Sequence, residues 1–252
     1  MSTVGIRAQL NRGVALVALF VALPMVATVE KLRPGSGPNV ARRVVEVLAR
    51  TMGVRFVVRG RPEGGLASPS VYVPNHSSPL DIPALLTACP DIRFMAGADL
   101  FRIPLLASAM RALRTVPIDR HHPDVAHRQL DALIDGADQA SDLAIFAEGG
   151  IAPRGERLPF KTGAFALAIQ TGIPVVPVAI HGSADVLPPR SFLGVRPGTV
   201  VVELLEPVSS EEFSLEDRGV MRDRVEGSIR SALTRGPGDD PIPDGGHGTR
   251  AD

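Results

Sequence analysis

The sequence predicts an α/β fold with a single main domain, in which a mostly parallel sheet is flanked by helices. From Arg55 onward, short β-branched runs alternate with helical segments, and this alternation is typical of parallel strands joined by crossover helices. The chain has 252 residues, which exceeds one typical domain of about 150 residues but falls short of two. Hydrophobic residues make up 44% of the chain, and this excludes a disordered or fibrous protein.

The strands and helices follow one another along residues 54–235, which we predict to be one domain. The predicted strands are Phe56–Val58, Ser70–Val73, Ile92–Met95, Val116–Ile118, Leu143–Phe146, Pro174–Ile180 and Thr199–Leu205. The predicted helices are Pro79–Thr87, Pro104–Leu113, Asp124–Ile134, Gly163–Gln170 and Leu215–Leu233. In a sheet of this kind, functional sites lie beyond the carboxyl ends of the strands.

Residues 1–53 form a separate N-terminal segment that we expect to associate with a membrane. Val14–Val29 contains no charge and would span roughly 24 Å as a helix, against a hydrocarbon core of about 30 Å. A cleaved signal peptide and a buried core helix are the alternatives for this stretch. Asn39–Met52 has apolar residues at helical spacing and several arginines elsewhere. The two segments together predict a helical hairpin lying on lipid.

The charge balance excludes a generally basic nucleic-acid-binding protein. Lys+Arg and Asp+Glu both number 27, so the formal net charge is zero. Residues 236–252 are rich in Pro, Gly and Asp and carry a net charge of −3, and we expect them to be disordered. The single cysteine, Cys89, has no partner for an internal disulfide, which fits a reducing compartment.

The run from Asn75 to Asp81, NHSSPLD, ends a predicted strand and opens a predicted helix. Ser78 suits the N-cap position, and Asp81 lies three residues later, where an acidic side chain closes a capping box. Capping alone would explain this pattern. The same geometry also allows the Asp81 carboxylate to orient His76 as a general base. The sequence has no G-x-S-x-G motif, so the hydroxyl to be activated would come from the substrate.

Several ordered motifs resemble the glycerophospholipid acyltransferase family, and the lysophosphatidic acid acyltransferases in particular. His76 to Asp81 is similar to the family's H-x4-D motif. The further matches, in chain order, are FRIPLLASAMRALRTVPIDR at 101–120, FAEGG at 146–150, PFKTGAF at 159–165 and IPVVPV at 173–178. The resemblance implies transfer of an acyl group from a thioester of coenzyme A or acyl carrier protein to a lysolipid hydroxyl. It implies 1-acylglycerol 3-phosphate as the first expected acceptor and phosphatidic acid as the product.

The resemblance also implies roles for individual residues. His76 would be the catalytic base and Asp81 would orient it. The substrate-binding residues would be Asn75, Arg120, Glu148, Gly149 and Lys161. The reaction would require no metal, nucleotide or redox cofactor. The acyl-thioester donor and the basic flanks of the apolar segment predict attachment to the cytoplasmic face of a membrane.

The chain departs from the family pattern at two positions where basic residues are usual, Gly97 and Ile151. Two interpretations remain open. In the first, other basic residues replace the missing ones, and the candidates are Arg114, Arg120, Arg154 and Lys161. In the second, the acceptor is less charged, such as a glycolipid or an amino-acid lipid. A lipid-binding module without turnover is the non-enzymatic alternative.

The remaining histidines are not expected to bind metal. His121, His122 and His127 are close in sequence, but their spacing matches no zinc signature. His181 follows a predicted strand, and we interpret it as a loop histidine, although it could line a cleft.

Overall fold

The computed structural model describes the chain in the segments 21–60, 69–89, 91–119, 125, 128–129, 142–153, 156–189, 191 and 194–237. The first part of the apolar segment, most of the predicted helix Asp124–Ile134 and the expected disordered tail from residue 238 lie outside these described residues.

The described residues form seven strands and seven α-helices. The strands are β1 (Val54–Arg59), β2 (Val71–Pro74), β3 (Arg93–Gly97), β4 (Val116–Ile118), β5 (Leu143–Ile145), β6 (Val175–His181) and β7 (Gly198–Leu204). The helices are α1 (Leu23–Leu32), α2 (Gly37–Met52), α3 (Asp81–Ala88), α4 (Pro104–Ala112), α5 (Gly163–Thr171), α6 (Ser183–Val186) and α7 (Arg218–Arg235). Short 3-10 helices cover Ala98–Arg102 and Leu215–Asp217.

The strands form one sheet in the order β1-β7-β6-β2-β5-β3-β4. All neighbouring pairs are parallel except β6 and β7, which are antiparallel. The predicted mostly parallel sheet is therefore confirmed. The pair β1–β7 runs opposite to the other five strands, so the carboxyl ends of β2, β5 and β6 meet at one edge beside the amino end of β7.

The hydrophobic core has one part on each face of the sheet. On one face, α2 and α3 pack against the strands, with Met52 and Leu85 among the buried side chains. On the other face, α5 contributes Phe165 and α7 contributes Met221 and Val225. All seven residues of β6 are buried, which explains its almost continuous apolar sequence.

Helices α1 and α2 are joined by a short turn, and both pack against α4. A small cluster joins Val26 of α1, Ala41 of α2 and Ala112 of α4. The Glu30 carboxylate accepts hydrogen bonds from Gly35 N at 2.9 Å and Gly37 N at 2.6 Å, and so holds the turn between the two helices. Within the described residues, no helix is long and apolar enough to cross a bilayer.

Several bounds differ from the predictions by one or two residues, as at both ends of β1 and at the end of β3. Helix α3 begins at Asp81, two residues after the predicted start, because residues 79 and 80 form a turn. Strand β6 extends to His181, so the prediction of a loop histidine was wrong. The last predicted helix is divided into the 3-10 helix at Leu215–Asp217 and helix α7.

Candidate active site

The candidate site lies where the loops after β2, β5 and β6 meet. These three strands are parallel neighbours, with β2 between the other two. The parallel arrangement brings Asn75 and His76 after β2, Phe146–Glu148 after β5 and Gly182 after β6 to one edge of the sheet. This edge is the expected position of a site in an open α/β sheet.

The side chains of His76 and Asp81 are hydrogen-bonded to each other. His76 Nδ1 lies 2.9 Å from Asp81 Oδ2, and the Asp81 side chain is fully buried whereas the His76 side chain is 11% exposed. The same carboxylate oxygen accepts the backbone N–H groups of Ser77 at 2.7 Å and Ser78 at 2.8 Å. Asp81 therefore holds the turn and contacts the imidazole at the same time, so the two interpretations of this residue are compatible.

Asn75 fixes the position of the His76 loop relative to β6. Its side-chain amide donates to Ile180 O at 3.1 Å, and its Oδ1 accepts Ile180 N at 2.7 Å. Asn75 is buried, with 7% exposure. This two-way pairing continues the β2–β6 ladder through a side chain, so the residues that follow on both strands are held in register. Ser77 Oγ then meets Ser183 Oγ at 3.0 Å.

The loop after β5 supports His76 from the other side. The Phe146 ring stacks on the imidazole with 3.9 Å between ring centroids. The buried Glu148 accepts the backbone N–H of His76 at 3.0 Å. Burial raises the pKa of Glu148 above its usual range, although the backbone N–H groups of His76 and Leu158 act in the opposite direction.

Gly149 and Lys161 form a second contact in this loop. Gly149 has φ +76°, a conformation that side chains rarely adopt, and a Cβ there would lie 2.9 Å from Lys161 Nζ. The backbone N–H of Lys161 donates to Ala147 O at 2.8 Å. The Lys161 side chain thus lies over Gly149, while its residue as a whole is exposed.

A cleft of about 750 Å³ opens in front of His76, and we call it the His76 cleft. Asn75, His76, Ser77 and Glu148 line it. Other lining residues come from the 152–157 loop, from the β6 and β7 ends and from the end of α7, and they include Arg59, Ala152, Glu156, Arg157, His181, Asp185, Thr199, Val201 and Leu233. A volume of this size is within the usual range for small-molecule sites.

Sequence reasoning gave the lining of a cleft only as the alternative for His181, and it missed other residues of this cleft. His181 does line the cleft and is held by Glu203, with 2.9 Å between His181 Nε2 and Glu203 Oε2. Arg59 and Arg157 also line it, although they lie nearly 100 residues apart in sequence. Phe146 was part of a recognised motif, and its position after β5 was the available signal for its contact with His76.

Of the four candidates for replacing the absent family cations, the two that the structure describes lie in different places. Arg114 lies next to Gly35 at the hairpin turn, and Lys161 lies over Gly149. Neither is among the lining residues of the His76 cleft. Arg120 and Arg154 lie outside the described residues, as do His121, His122 and His127. In the part of the chain that the structure describes, no group of three His, Cys, Asp or Glu side chains could hold a metal ion.

Comparison with known proteins decides the family of this fold and site. The model of the family described as "Acyltransferase" matches residues 42–181, which is more than half of the chain. The chain belongs to the acyltransferase family. The matched region includes Asn75, His76, Asp81 and Glu148, together with strand β6, to which Asn75 is hydrogen-bonded.

Several curated relatives that the chain is similar to are described as 1-acyl-sn-glycerol-3-phosphate acyltransferases. One from Brassica napus chloroplasts is 32% identical over 148 residues, covering 59% of this chain and 43% of the relative. The alpha form from Mus musculus is 30% identical over 185 residues, covering 70% of this chain and 63% of the relative. The chain therefore spans about two fifths of the plant relative and less than two thirds of the mouse relative.

A solved structure shares the fold of this chain. The crystal structure of the 1-acyl-sn-glycerophosphate acyltransferase from Thermotoga maritima matches with a TM-score of 0.72 and 24% sequence identity. The match covers 91% of this chain and 97% of that protein. The arrangement of sheet and helices is thus shared over nearly the whole length of both chains.

Proposed function

We propose that this protein transfers an acyl group from an acyl thioester to the hydroxyl of a lysolipid, with 1-acylglycerol 3-phosphate as acceptor and phosphatidic acid as product. The observation that carries the proposal is the His76–Asp81 pair at the wall of an open cleft. Membership of the acyltransferase family and the names of its relatives support it.

The proposed chemistry follows from the hydrogen bond at His76 Nδ1. With Nδ1 carrying its proton toward Asp81, Nε2 is free to take the proton of the acceptor hydroxyl. The acceptor oxygen forms a bond to the thioester carbonyl carbon, and the tetrahedral intermediate then breaks its C–S bond. The departing thiolate takes the proton from His76, so the enzyme returns to its starting state. The buried Asp81 carboxylate stabilises the imidazolium between these steps.

A serine-linked intermediate is not needed for this reaction. The hydroxyl of Ser77 contacts Ser183 Oγ, and that of Ser78 donates to Leu187 O at 2.7 Å. Both hydroxyl groups therefore take part in the local structure of the loop. The nucleophile in the proposal is the acceptor itself, and the donor is a substrate on coenzyme A or acyl carrier protein. The proposed reaction uses no metal, nucleotide or redox cofactor.

The test is an acceptor screen with purified protein. Acyl-CoA is mixed with 1-acylglycerol 3-phosphate, 1-acylglycerol, a lysoglycolipid or a lyso-amino-acid lipid, and thiol release and product mass are measured. We expect the highest kcat/KM with 1-acylglycerol 3-phosphate and no thiol release above background for His76→Ala. Asp217→Asn is the control and should keep full activity. Asp217 accepts a hydrogen bond from Ser214 in an exposed turn and does not line the His76 cleft.

The second candidate is the same chemistry on a less charged acceptor. Gly97 and Ile151 favour it, because neither side chain can bind a phosphate. A higher kcat/KM for the phosphate-free or amino-acid acceptors would support this candidate and contradict the first. Binding to vesicles without thiol release from any acceptor would contradict both and indicate a lipid-binding module.

We also propose that the helical hairpin attaches the protein to the cytoplasmic face of a membrane. Exposed apolar side chains occur on α1 at Met25 and Leu32, on α2 at Val47 and before α4 at Ile103. Basic residues Lys31, Arg43 and Arg50 are exposed on the same two helices, and Arg33 is exposed directly after α1. Apolar side chains beside basic ones suit an anionic lipid surface.

Point substitutions test this attachment better than removal of the hairpin, because Ala49 and Met52 of α2 belong to the core of the sheet. The double variant Met25→Asp with Leu32→Asp should sediment less with anionic vesicles than the unchanged protein. Val220→Asp is the control, since Val220 is 60% exposed on α7. Equal sedimentation of all three proteins would contradict this mode of attachment.

A further inference from the structure

We propose that Arg59 and Arg157 form the subsite for the phosphate of the acceptor, in place of basic residues at positions 97 and 151. This inference rests on the proposed function, because it assigns the head-group end of the same acceptor.

The positions usual for basic residues cannot serve this purpose. Gly97 is the buried last residue of β3 and has no side chain. Ile151 is half-buried and apolar. A phosphate monoester leaving water needs charge-assisted hydrogen bonds to replace its hydration. If this acceptor is bound, the donors must come from elsewhere in the cleft.

Arg59 is directed to the correct face of the sheet. Arg59 on β1 is the register partner of Glu203 on β7, and Glu203 is the partner of Ala179 on β6. Side chains of registered neighbours point to the same face. Glu203 bonds His181 there, so Arg59 shares the face on which His181 lines the cleft.

The guanidinium of Arg59 has unused hydrogen-bonding capacity. Its Nη1 is buried and has no hydrogen-bond partner among the described residues. A buried donor without a partner is unfavourable, and an anion in the cleft would satisfy it. Three strand spacings of about 4.8 Å separate β1 from β2, so Arg59 and Asn75 are about 14 Å apart at the backbone. Arg59 and His76 nevertheless line the same cleft, so a ligand that occupies it can contact both.

Arg157 approaches the same cleft from a different element. It belongs to the loop that follows β5, and Ala152 of this loop donates its N–H to His76 O at 3.1 Å. The loop is therefore tied to His76 at its start and carries Arg157 to the cleft wall. Two guanidinium groups from separate walls can bind different oxygens of one phosphate, each through a planar pair of donors.

The cleft is not positive throughout. The carboxyl groups of Glu148, Glu156 and Asp185 also line it. Glu148 is directed to the backbone of His76. A general positive potential is therefore not the means of binding, and the two arginines act through direct hydrogen bonds. Replacing either arginine should therefore weaken binding of the acceptor even at high salt, where long-range attraction is screened.

Phosphate groups could come from either substrate, and the length of each favours the acceptor. In 1-acylglycerol 3-phosphate, two carbons and one oxygen separate the phosphorus from the oxygen that attacks. In acyl-CoA, the whole pantetheine arm separates the pyrophosphate from the thioester. A cation in the same cleft as the general base therefore matches the acceptor phosphate, and the experiment distinguishes the two sources.

The experiment compares Arg59→Gln, Arg157→Gln and the corresponding lysine variants with the unchanged protein. Loss of one charge-assisted hydrogen bond corresponds to about a 10- to 100-fold rise in KM for 1-acylglycerol 3-phosphate. We expect kcat and the KM for acyl-CoA to change by less than about threefold, and the lysine variants to recover part of the affinity. Turnover of phosphate-free 1-acylglycerol should not respond. Arg222→Gln is the matched control, because Arg222 pairs with Asp223 on α7 and does not line the cleft.

Two results would overturn the assignment. One is an unchanged KM for 1-acylglycerol 3-phosphate in folded glutamine variants, and the other is a rise in the KM for acyl-CoA instead, which would assign the arginines to the donor. Calorimetric titration with glycerol 3-phosphate separates this inference from the proposed function. If the unchanged protein shows no turnover, the proposed function fails. Even then, the subsite would be supported if the unchanged protein binds glycerol 3-phosphate and both glutamine variants do not. The subsite would be rejected if all three proteins bind it equally or if none of them binds it.

Discussion

Replacing Asp81 with asparagine separates the two roles of this carboxylate. Its Oδ2 accepts three hydrogen bonds, from His76 Nδ1 and from the backbone N–H groups of Ser77 and Ser78. An asparagine at this position keeps one oxygen that can accept the backbone donors, but it is neutral. The turn should survive, whereas the imidazolium formed during the reaction would lose its charged partner.

The magnitude follows from burial of the pair. The Asp81 side chain is fully buried, so its hydrogen bond to a charged imidazole is charge-assisted and is worth about 1.5–3 kcal/mol. At about 1.4 kcal/mol per tenfold change, kcat/KM should fall about 10- to 150-fold in Asp81→Asn. Asp81→Ala removes the acceptor for two backbone donors as well. Each unsatisfied donor costs about 1–3 kcal/mol, so the free energy of unfolding should fall by about 2–6 kcal/mol.

The assay is thiol release at saturating acyl thioester, together with urea unfolding of each variant. Asp217→Asn provides the comparison, because Asp217 accepts hydrogen bonds from Ser214 in an exposed turn. The Asp217→Asn substitution should not change kcat/KM. A loss of less than about threefold in Asp81→Asn, with unfolding unchanged, would refute the role of the charge. If kcat/KM falls only in variants that also unfold more easily, the role of Asp81 is limited to stabilising the turn.

Three further predictions concern the neighbouring loops. Burial raises the pKa of Glu148 above the ordinary value of 4.5, so above pH 4.5 the folded protein keeps a proton that the unfolded chain loses. The free energy of unfolding should therefore fall as pH rises from 4.5 to the raised pKa. Urea unfolding at several pH values should show a smaller fall for Glu148→Gln, and an equal fall in both proteins would contradict the prediction. Gly149→Ala should lower the free energy of unfolding by about 1–2 kcal/mol because of its φ of +76°, whereas Gly150→Ala, with nothing within 4 Å of its Cβ, should not. Equal effects would exclude the backbone explanation. Asn75→Ala leaves the backbone N–H of Ile180 without its acceptor, so the free energy of unfolding should fall by about 1–3 kcal/mol. The backbone amide hydrogen of Ile180 should also exchange faster with solvent. An unchanged exchange rate would show that β2 and β6 stay paired without Asn75.

Much of the fold follows from local sequence patterns. Val116–Ile118 was predicted with the observed bounds, and the helix at Gly163 and the strand at Pro174 were each within one residue of the observed bounds. Runs of β-branched residues and apolar periodicity are local properties, which is why they can be read directly. The reversed direction of β7 and β1 was not predicted, because strand direction depends on how the chain returns between elements.

Asp81 shows how far local reasoning reaches within the site. His76 and Asp81 are only five residues apart, so their contact is set by one turn and the start of one helix. Asn75 is different, since its partner Ile180 lies 105 residues away and only the β2–β6 pairing brings them together. Sequence motifs placed both Asn75 and Glu148 in the site, but the contacts they make depend on the sheet.

The sequence by itself determined the α/β class, the strands and helices and the His76–Asp81 pair, because each of these depends on residues that are near neighbours in the chain. Only the tertiary structure decided which cations share the cleft with His76. Arg59 and Arg157 both line this cleft, because strand order places β1 beside β7 and the chain after β5 also reaches the cleft, and no local pattern records that placement. Arg114, which sequence reasoning did offer as a phosphate-binding candidate, lies beside the turn between α1 and α2, just after the end of α4 and not among the residues of the cleft.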